Sequence, residues 1–277
     1  MTTYNKTSFQ NIWKIHKNRY IRAFHAFVVY AENQGWHNNT RAKSFIKYAT
    51  PRDDEMKNRV YLTKDEIQAL YDMELSGFDE QVRDVFLIGC YTGLRYSDLS
   101  RISESCFGET VNGTPVIRIL QKKTKSPVII PILDNNLIEL LNKYNYNVPH
   151  IVDGSLNRNI KNTLERLSHT VPSLAKKERT ILTVLEKKIE LRSHKKGIEP
   201  FEYDDEGFPI KPRWEMVSLH TARRTFITNV YLSGKFSIEF MMKLSGHKKY
   251  DTFKKYVRLS LDEYADDIAK NADDGLF

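Results

Sequence analysis

Three short stretches near the C-terminal end carry side chains that could act together on a phosphodiester. They are His220 and Arg223 in Val217-Ser-Leu-His-Thr-Ala-Arg-Arg, His247 in Leu244-Ser-Gly-His, and Tyr256 nine residues after that histidine. An arginine fork grips two non-bridging phosphate oxygens, imidazoles move protons, and a tyrosine hydroxyl can form a reversible phosphodiester. His220 and Arg223 are three apart and so share a helix face. Ser218 or Thr221 can cap that helix and Gly234 can stop it. Ser237 caps a second helix, whose Ile238, Met241 and Leu244 share an apolar face before Gly246 ends it. Asp251 caps a third, which places Tyr256 about a turn inside it.

The elements that must position these groups are legible upstream. Thr63-Lys-Asp-Glu66 is a capping box opening a helix with Ile67, Leu70 and Tyr71. A second helix, about 79 to 90, ends at the Thr92-Gly93 turn, and Arg95 starts the next one. On its own Arg95 reads as a structural partner of Asp98. Val116 to Gln121 and Val128 to Ile130 are β-branched, apolar runs joined by Lys122-Lys-Thr-Lys-Ser-Pro, a hairpin with a lysine-dense tip. Asp134 caps a helix burying Leu137, Ile138, Leu140 and Leu141. Ser155 starts another, with Leu156, Ile160, Leu164 and Leu167 at helical spacing and Arg158, Lys161 and Arg166 on or near its other side.

Taken together, these boxes resemble the tyrosine recombinase, or phage integrase, family. HxxR, Gly-His and the tyrosine look like its C-terminal boxes. Thr92-Gly-Leu-Arg-Tyr-Ser-Asp-Leu is similar to its first arginine box and supplies Arg95. Ile119-Leu-Gln-Lys-Lys-Thr-Lys-Ser-Pro-Val-Ile-Ile-Pro matches its catalytic β-hairpin. Counting back from Pro131 puts the family's lysine on Lys123; counting forward from the first strand puts it on Lys122. Lys123 is preferred because it begins a Lys-Thr pair, which leaves Lys122 and Lys125 as DNA contacts. Arg224 stands where many members carry a second histidine and joins the candidate DNA contacts. The matches span about residues 60 to 260 in the family's order. The resemblance implies a mainly α fold with a small antiparallel β-sheet (α+β), the catalytic-domain fold of that family, preceded by a partial helical domain.

Composition fits this reading without deciding it. The 277 residues suffice for one large or two modest domains, and a net charge of +8 mildly favours a polyanionic partner. No apolar run is long enough to span a membrane and the N-terminus carries no signal peptide, so the expectation is a cytoplasmic chain with no membrane partner. Cys90 and Cys106 are too few for a disulfide framework or zinc site. Residues 8 to 34 read as one or two helices with Tyr20, Phe24, Phe27, Val28 and Ala31 on one face and Gly35 as the stop. Lys14, Lys17, Arg19 and Arg22 lie opposite, as a solvated basic face or as phosphate contacts.

A short helix about Arg41 to Tyr48 follows. The expected division is a partial helical DNA clamp over 1–50, a linker over 51–62 and a catalytic domain over 63–277. That domain carries an inserted segment at about 174–215 and a tail after Tyr256. The short N-terminal part implies a chain that starts inside the family's core-binding domain. Within the insert, Thr180 to Leu185 and Lys188 to Arg192 suit two strands, with a helix as the alternative, and 197–213 suits an exposed loop. His169 and His194 read as surface residues. In the tail, Leu259, Leu261, Tyr264 and Ile268 could dock on a neighbouring protomer.

The resemblance implies site-specific strand exchange on double-stranded DNA for integration or excision of a mobile element. Tyr256 would attack the scissile phosphate, with Arg95 and Arg223 on its oxygens and Lys123 as acid for the leaving 5′-oxygen. His220 would assist proton transfer at the tyrosine, and His247 would donate a hydrogen bond to the phosphate. No metal or nucleotide cofactor is called for, and the sequence has neither metal-ligand spacing nor a P-loop. A homo-tetramer on two DNA sites is implied, with a monomer as the free form. Two rivals remain: a type IB topoisomerase-like enzyme that nicks and reseals one duplex, and a DNA-binding protein of the same fold that no longer cuts. A metal-dependent nuclease is disfavoured, since no carboxylates cluster around the boxes.

Overall fold

The computed structural model describes residues 23–39 and 60–257, together with Leu259, Ala265 and Ala269. Arg19, Arg22, the helix expected at 41–48, most of the expected linker, and Leu261, Tyr264 and Ile268 lie outside the described residues. Two compact units divide the chain, Met1–Asn58 with Arg179–Ile210, and Arg59–Glu178 with Lys211–Phe277.

Residues 23–33 form α1, which Gly35 stops with φ 73°. Its expected apolar stripe is only partly buried: Ala31 is, whereas Phe24 and Phe27 are exposed. In the larger unit the Thr63–Glu66 capping box opens α2 (Lys64–Asp72) as the sequence requires. Helix α3 (Gly77–Thr92) ends on Gly93, which takes the left-handed conformation at φ 64°. Arg95 is the N-cap residue of the short α4 (Tyr96–Leu99). Strands β1 (Phe107–Glu109), β2 (Pro115–Leu120) and β3 (Pro127–Pro131) form an antiparallel sheet in that order, with Ile117 opposite Ile130. Asp134 caps α5 (Asn135–Lys143) by accepting from the Asn136 and Leu137 amides. Helices α6 (Asp153–Ser168) and α7 (Pro172–Ala175) lead into β4 (Lys177–Arg179).

The insert departs from the two-strand expectation. Residues Val184–His194 form a helix, α8, because Thr183 and Glu186 make a reciprocal capping box that starts it. The expected loop after it holds a hairpin, β5 (Glu202–Tyr203) against β6 (Pro209–Pro212). The Asp204 carboxylate closes its turn by accepting from the Glu206 and Phe208 amides, with Gly207 at φ 80°. His169 and His194 are exposed, as expected.

After β6 come α9 (Arg213–Met216), α10 (Leu219–Leu232), α11 (Ile238–Ser245) and α12 (Tyr250–Lys254). The core of the larger unit is built on α3, whose Val82, Val85, Phe86, Leu87 and Ile88 are all buried. Leu137, Leu140 and Leu141 of α5 and Leu156, Ile160 and Leu164 of α6 belong to the same cluster. Burying each such side chain contributes about 1.5–3 kcal/mol. Helix α10 lies close on α3: a Cβ added at Gly89 would stand 3.2 Å from the Ala222 Cβ. A second cluster of Ile227, Met241 and Phe253 joins α10, α11 and α12, with Tyr256 packed against it. Cys90 is buried and Cys106 partly so, both free. Among the described residues no His, Cys, Asp or Glu group could hold a metal ion, and no helix is long and apolar enough to cross a membrane.

Candidate active site

The first helix of the site is α10. Ser218 precedes it, its amide donating to the Thr221 hydroxyl at 3.0 Å, and Gly234 follows it with φ 65°. Arg223 is on the inward side and 1% exposed. Its guanidinium donates from Nη1 to the Gly93 carbonyl at 2.7 Å and from Nη2 to the Ser245 carbonyl at 2.6 Å. The Nε–H is buried without an acceptor. Burial, and after it the charge of Arg95, push this guanidinium down to about 10, so it stays cationic at neutral pH. His220, one turn earlier on the same helix, opens to solvent.

Helix α11 is capped by Ser237, which accepts from the Phe240 amide, and ends on Gly246 at φ 68°. Met241 and Leu244 are buried as expected, while Ile238 is exposed. That end delivers two functional groups, the Ser245 carbonyl that holds Arg223 and the His247 ring. Ser245 Oγ lies 2.7 Å from the Met241 carbonyl and 2.8 Å from His247 Nδ1. A hydroxyl has one proton, and the carbonyl can only accept it, so Nδ1–H of His247 donates to Oγ. Nε2 then carries no proton, and Arg223 Nη2 stands against the ring, 3.3 Å from Nε2 and 3.5 Å from Nδ1.

Tyr256 corrects one expectation. Helix α12 covers only Tyr250–Lys254 with Lys249 as its N-cap residue, so Asp251 lies in the first turn instead of capping it. Tyr256 therefore stands just past the helix end, its amide on the Phe253 carbonyl at 2.8 Å. The Thr228 hydroxyl donates to the Tyr256 carbonyl at 3.0 Å, which ties the tyrosine to α10. Its ring centroid is 5.0 Å from that of His220, 4.8 Å from that of His247 and 5.4 Å from the Arg223 guanidinium carbon.

Arg95 does not pair with Asp98. Its Nη1 donates to Gln121 Oε1 at 2.8 Å, and Gln121 Nε2 donates to the Ser245 carbonyl at 3.1 Å. Asp98, fully buried, instead accepts the Lys122 amide at 2.7 Å and so fixes the start of the lysine turn. Lys122, Lys123 and Lys125 are exposed on that turn, Lys125 with φ 51°. Desolvation, then Arg224, Arg223, Arg95 and Lys123, push the His220 imidazole down to about 4. Water at the open side of the ring screens the cations and lessens the burial cost alike. Desolvation, Arg223, Arg95 and His220 push His247 to about 3. Both rings are neutral at physiological pH. Arg224 is half-buried and donates to the Val60 carbonyl at 2.9 Å.

Three residues were not singled out for the site by the sequence: Gln121, Ser245 and, in its actual role, Asp98. Ser245 stood inside the Leu-Ser-Gly-His box, and Gln121 is a polar residue closing an apolar strand. Those were the available signals.

The phage integrase family model matches residues 60–263. The chain belongs to the phage integrase family. No curated protein matches the sequence. Among solved structures, a lambda integrase dimer bound to a core site is 18% identical with a TM-score of 0.52, covering 86% of this chain and 71% of that one. A Tn1549 transposon integrase with circular intermediate DNA is 15% identical with a TM-score of 0.50, covering 91% of this chain and 78% of that one. At such identities the likeness concerns the fold, a mainly helical catalytic domain with small antiparallel sheets. A XerH recombinase structure is 13% identical with a TM-score of 0.48; 74% of this chain matches, spanning 51% of that one. This integrase-family chain thus spans about half the length of that relative.

Proposed function

We propose that this integrase-family protein is a site-specific DNA recombinase that cuts and rejoins strands through a 3′-phosphotyrosyl intermediate, in the integration or excision of a mobile element. The observation that supports this most is the convergence of His220, Arg223 and His247 on the Tyr256 ring, with a buried Arg223 Nε–H that lacks an acceptor. A buried, unpaired cationic donor is costly, and a phosphate oxygen is a fitting acceptor for it. The substrate is double-stranded DNA; the lambda integrase structure holds a core site and the Tn1549 integrase structure a circular intermediate DNA.

Tyr256 Oη attacks the scissile phosphorus while the bond to the 5′-oxygen breaks. The phenolic proton passes to neutral His220, and the 5′-oxygen takes a proton from Lys123 and leaves as a hydroxyl. Arg95 and Arg223 carry the charge that grows on the non-bridging oxygens. His247 stays neutral and donates to the phosphate from Nε2–H in its other tautomer, with the Ser245 hydroxyl turned to donate to Nδ1. A partner strand's 5′-hydroxyl then attacks the phosphotyrosine, which conserves the bond energy and needs neither metal nor nucleotide. Lys122 and Lys125 are assigned to phosphate contacts beside the hairpin, and Arg19, Arg22 and Arg224 to further DNA contacts. Residues 63–277 form the catalytic domain, 51–62 a linker and 1–50 part of a helical clamp. The active assembly is a homo-tetramer on two sites, formed from a free monomer.

The test is a suicide substrate, a nicked duplex bearing a candidate site, with wild type beside Tyr256→Phe and no added metal. A covalent protein–DNA band lost in the variant supports the proposal. Duplex binding without any adduct, persisting when an upstream core-binding domain is supplied, refutes it in favour of a non-cutting DNA-binding protein.

A further inference from the structure

We infer that Gln121 is a positioning residue that locks the two phosphate-binding arginines in register, an inference that rests on the recombinase reading. Gln121 lies at the end of β2 and is fully buried. All of its hydrogen-bonding groups but one amide hydrogen are engaged. Its backbone amide reaches the Ser126 carbonyl at 3.0 Å and its carbonyl takes the Lys125 amide at 3.0 Å, closing the lysine turn. Its side-chain oxygen accepts from Arg95 Nη1 and from the Thr124 hydroxyl, each at 2.8 Å. Its side-chain nitrogen donates to the Ser245 carbonyl. The amide orientation follows from chemistry, since a guanidinium can only donate and a carbonyl only accept.

The Ser245 carbonyl is therefore shared, receiving Arg223 Nη2 at 2.6 Å and Gln121 Nε2 at 3.1 Å. One unbroken path runs Arg95–Gln121–Ser245–Arg223, and Ser245 Oγ extends it to His247. Arg95 comes from the start of α4, Gln121 from β2 and Arg223 from α10, three elements far apart in sequence. Their relative placement sets the spacing of the two guanidinium groups. A misplacement of about an ångström can cost about 100-fold in rate. The amide accepts from Arg95 through Oε1 and donates to the carbonyl through Nε2, so a single side chain serves both. Contact with the Gly246 backbone, where an added Cβ would meet the amide at 2.5 Å, fixes the side chain sterically as well.

The test uses the full chain with Gln121→Met, which keeps the volume and removes the hydrogen bonds, and Gln121→Glu, which keeps the acceptor for Arg95 and loses the donor. Guanidinium ¹H–¹⁵N spectra, assigned with Arg95→Lys and Arg223→Lys, report arginine immobilisation without any chemistry. Expected is an Arg95 group in slow rotation in wild type and Gln121→Glu and released in Gln121→Met. On a suicide duplex, both variants are expected to form adduct about 100-fold more slowly at saturating DNA. Duplex affinity should stay within about threefold, a split that a general folding defect would not produce. Arg95 held as firmly in Gln121→Met as in wild type overturns the inference, as does adduct formation by that variant within threefold of wild type. If wild type forms no adduct on any duplex even with an upstream core-binding domain supplied, the recombinase reading fails and the spectra alone decide this one: Arg95 released in Gln121→Met upholds it, Arg95 held overturns it.

Discussion

The backbone of Gly246 rests directly on the amide of Gln121: a Cβ at position 246 would lie 2.5 Å from Oε1 and 2.6 Å from Nε2. Gly246 also holds φ 68°, where an L-residue is strained. Gly246→Ala should therefore lose stability twice, about 1–2 kcal/mol from the backbone and more from displacement of the Gln121 side chain. Because that side chain touches Arg95 and the Ser245 carbonyl, adduct formation should fall further than stability does. Urea unfolding beside single-turnover cleavage checks this. A variant of unchanged stability would mean that the α11 end is looser than this contact requires.

Arg223 serves the fold as well as the site. It satisfies the Gly93 and Ser245 carbonyls from a position 1% exposed. Arg223→Ala strands both acceptors and opens a cavity, so it should cost about 3–5 kcal/mol in unfolding free energy. Arg223→Lys keeps the charge but cannot span both carbonyls, and should recover part of the stability and little cleavage. Chemical denaturation of the three proteins ranks them. Wild-type stability in Arg223→Ala would contradict the buried bridge.

How much of this was readable beforehand follows from the range of the interactions involved. The Thr63–Glu66 box, the Asp134 cap and the β2–β3 hairpin are local patterns, and they stand where the sequence places them. Thr183–Glu186 is the same kind of local signal, but it falls inside the short, largely apolar run Thr180 to Leu185, which also suits a strand. Asp251 reads as a cap that would put Tyr256 inside a helix, but α12 begins at Tyr250 and is five residues long. Gln121 showed in the sequence only as a polar residue closing an apolar strand, which says nothing of its distant partners. Its partners are Arg95, 26 positions before it, and Ser245, 124 positions after it, and only the tertiary fold brings them together.

The two imidazoles give stability a pH dependence of definite sign. His247 is held near 3 and His220 near 4, below the ordinary 6.5 of an unfolded chain. Between those values and 6.5 the unfolded state binds more protons than the folded one. Stability is thus fully present above about pH 6.5 and is lost as pH falls toward the folded values. For buried His247 the slope is up to roughly 1.4 kcal/mol per pH unit, and for His220, which is open to water, it is smaller. Urea midpoints at pH 7.5, 6.0 and 5.0 should therefore fall less steeply for His247→Asn than for wild type. Parallel curves would show that His247 is not held neutral by the fold.

The lysine turn offers two candidate general acids, and the proposed assignment to Lys123 separates from Lys122 by experiment. Asp98 pins the Lys122 amide at 2.7 Å, so the backbone enters the turn in a fixed direction. Lys123 follows, near enough to His220 for its charge to depress that imidazole. Lys123→Ala should slow adduct formation about 10²–10⁴-fold, the usual range for a lost proton donor. A duplex with sulfur in place of the bridging 5′-oxygen should restore most of that rate, because a thiolate leaves without an acid. Lys122→Ala should respond to the sulfur substrate no more than wild type does. Its defect should appear in affinity, with the salt dependence of binding reduced by about one phosphate contact. Sulfur rescue of Lys122→Ala in place of Lys123→Ala would exchange the two roles. Asp98→Ala, which frees the turn, should resemble the Lys123 variant in rate and recover with the same substrate.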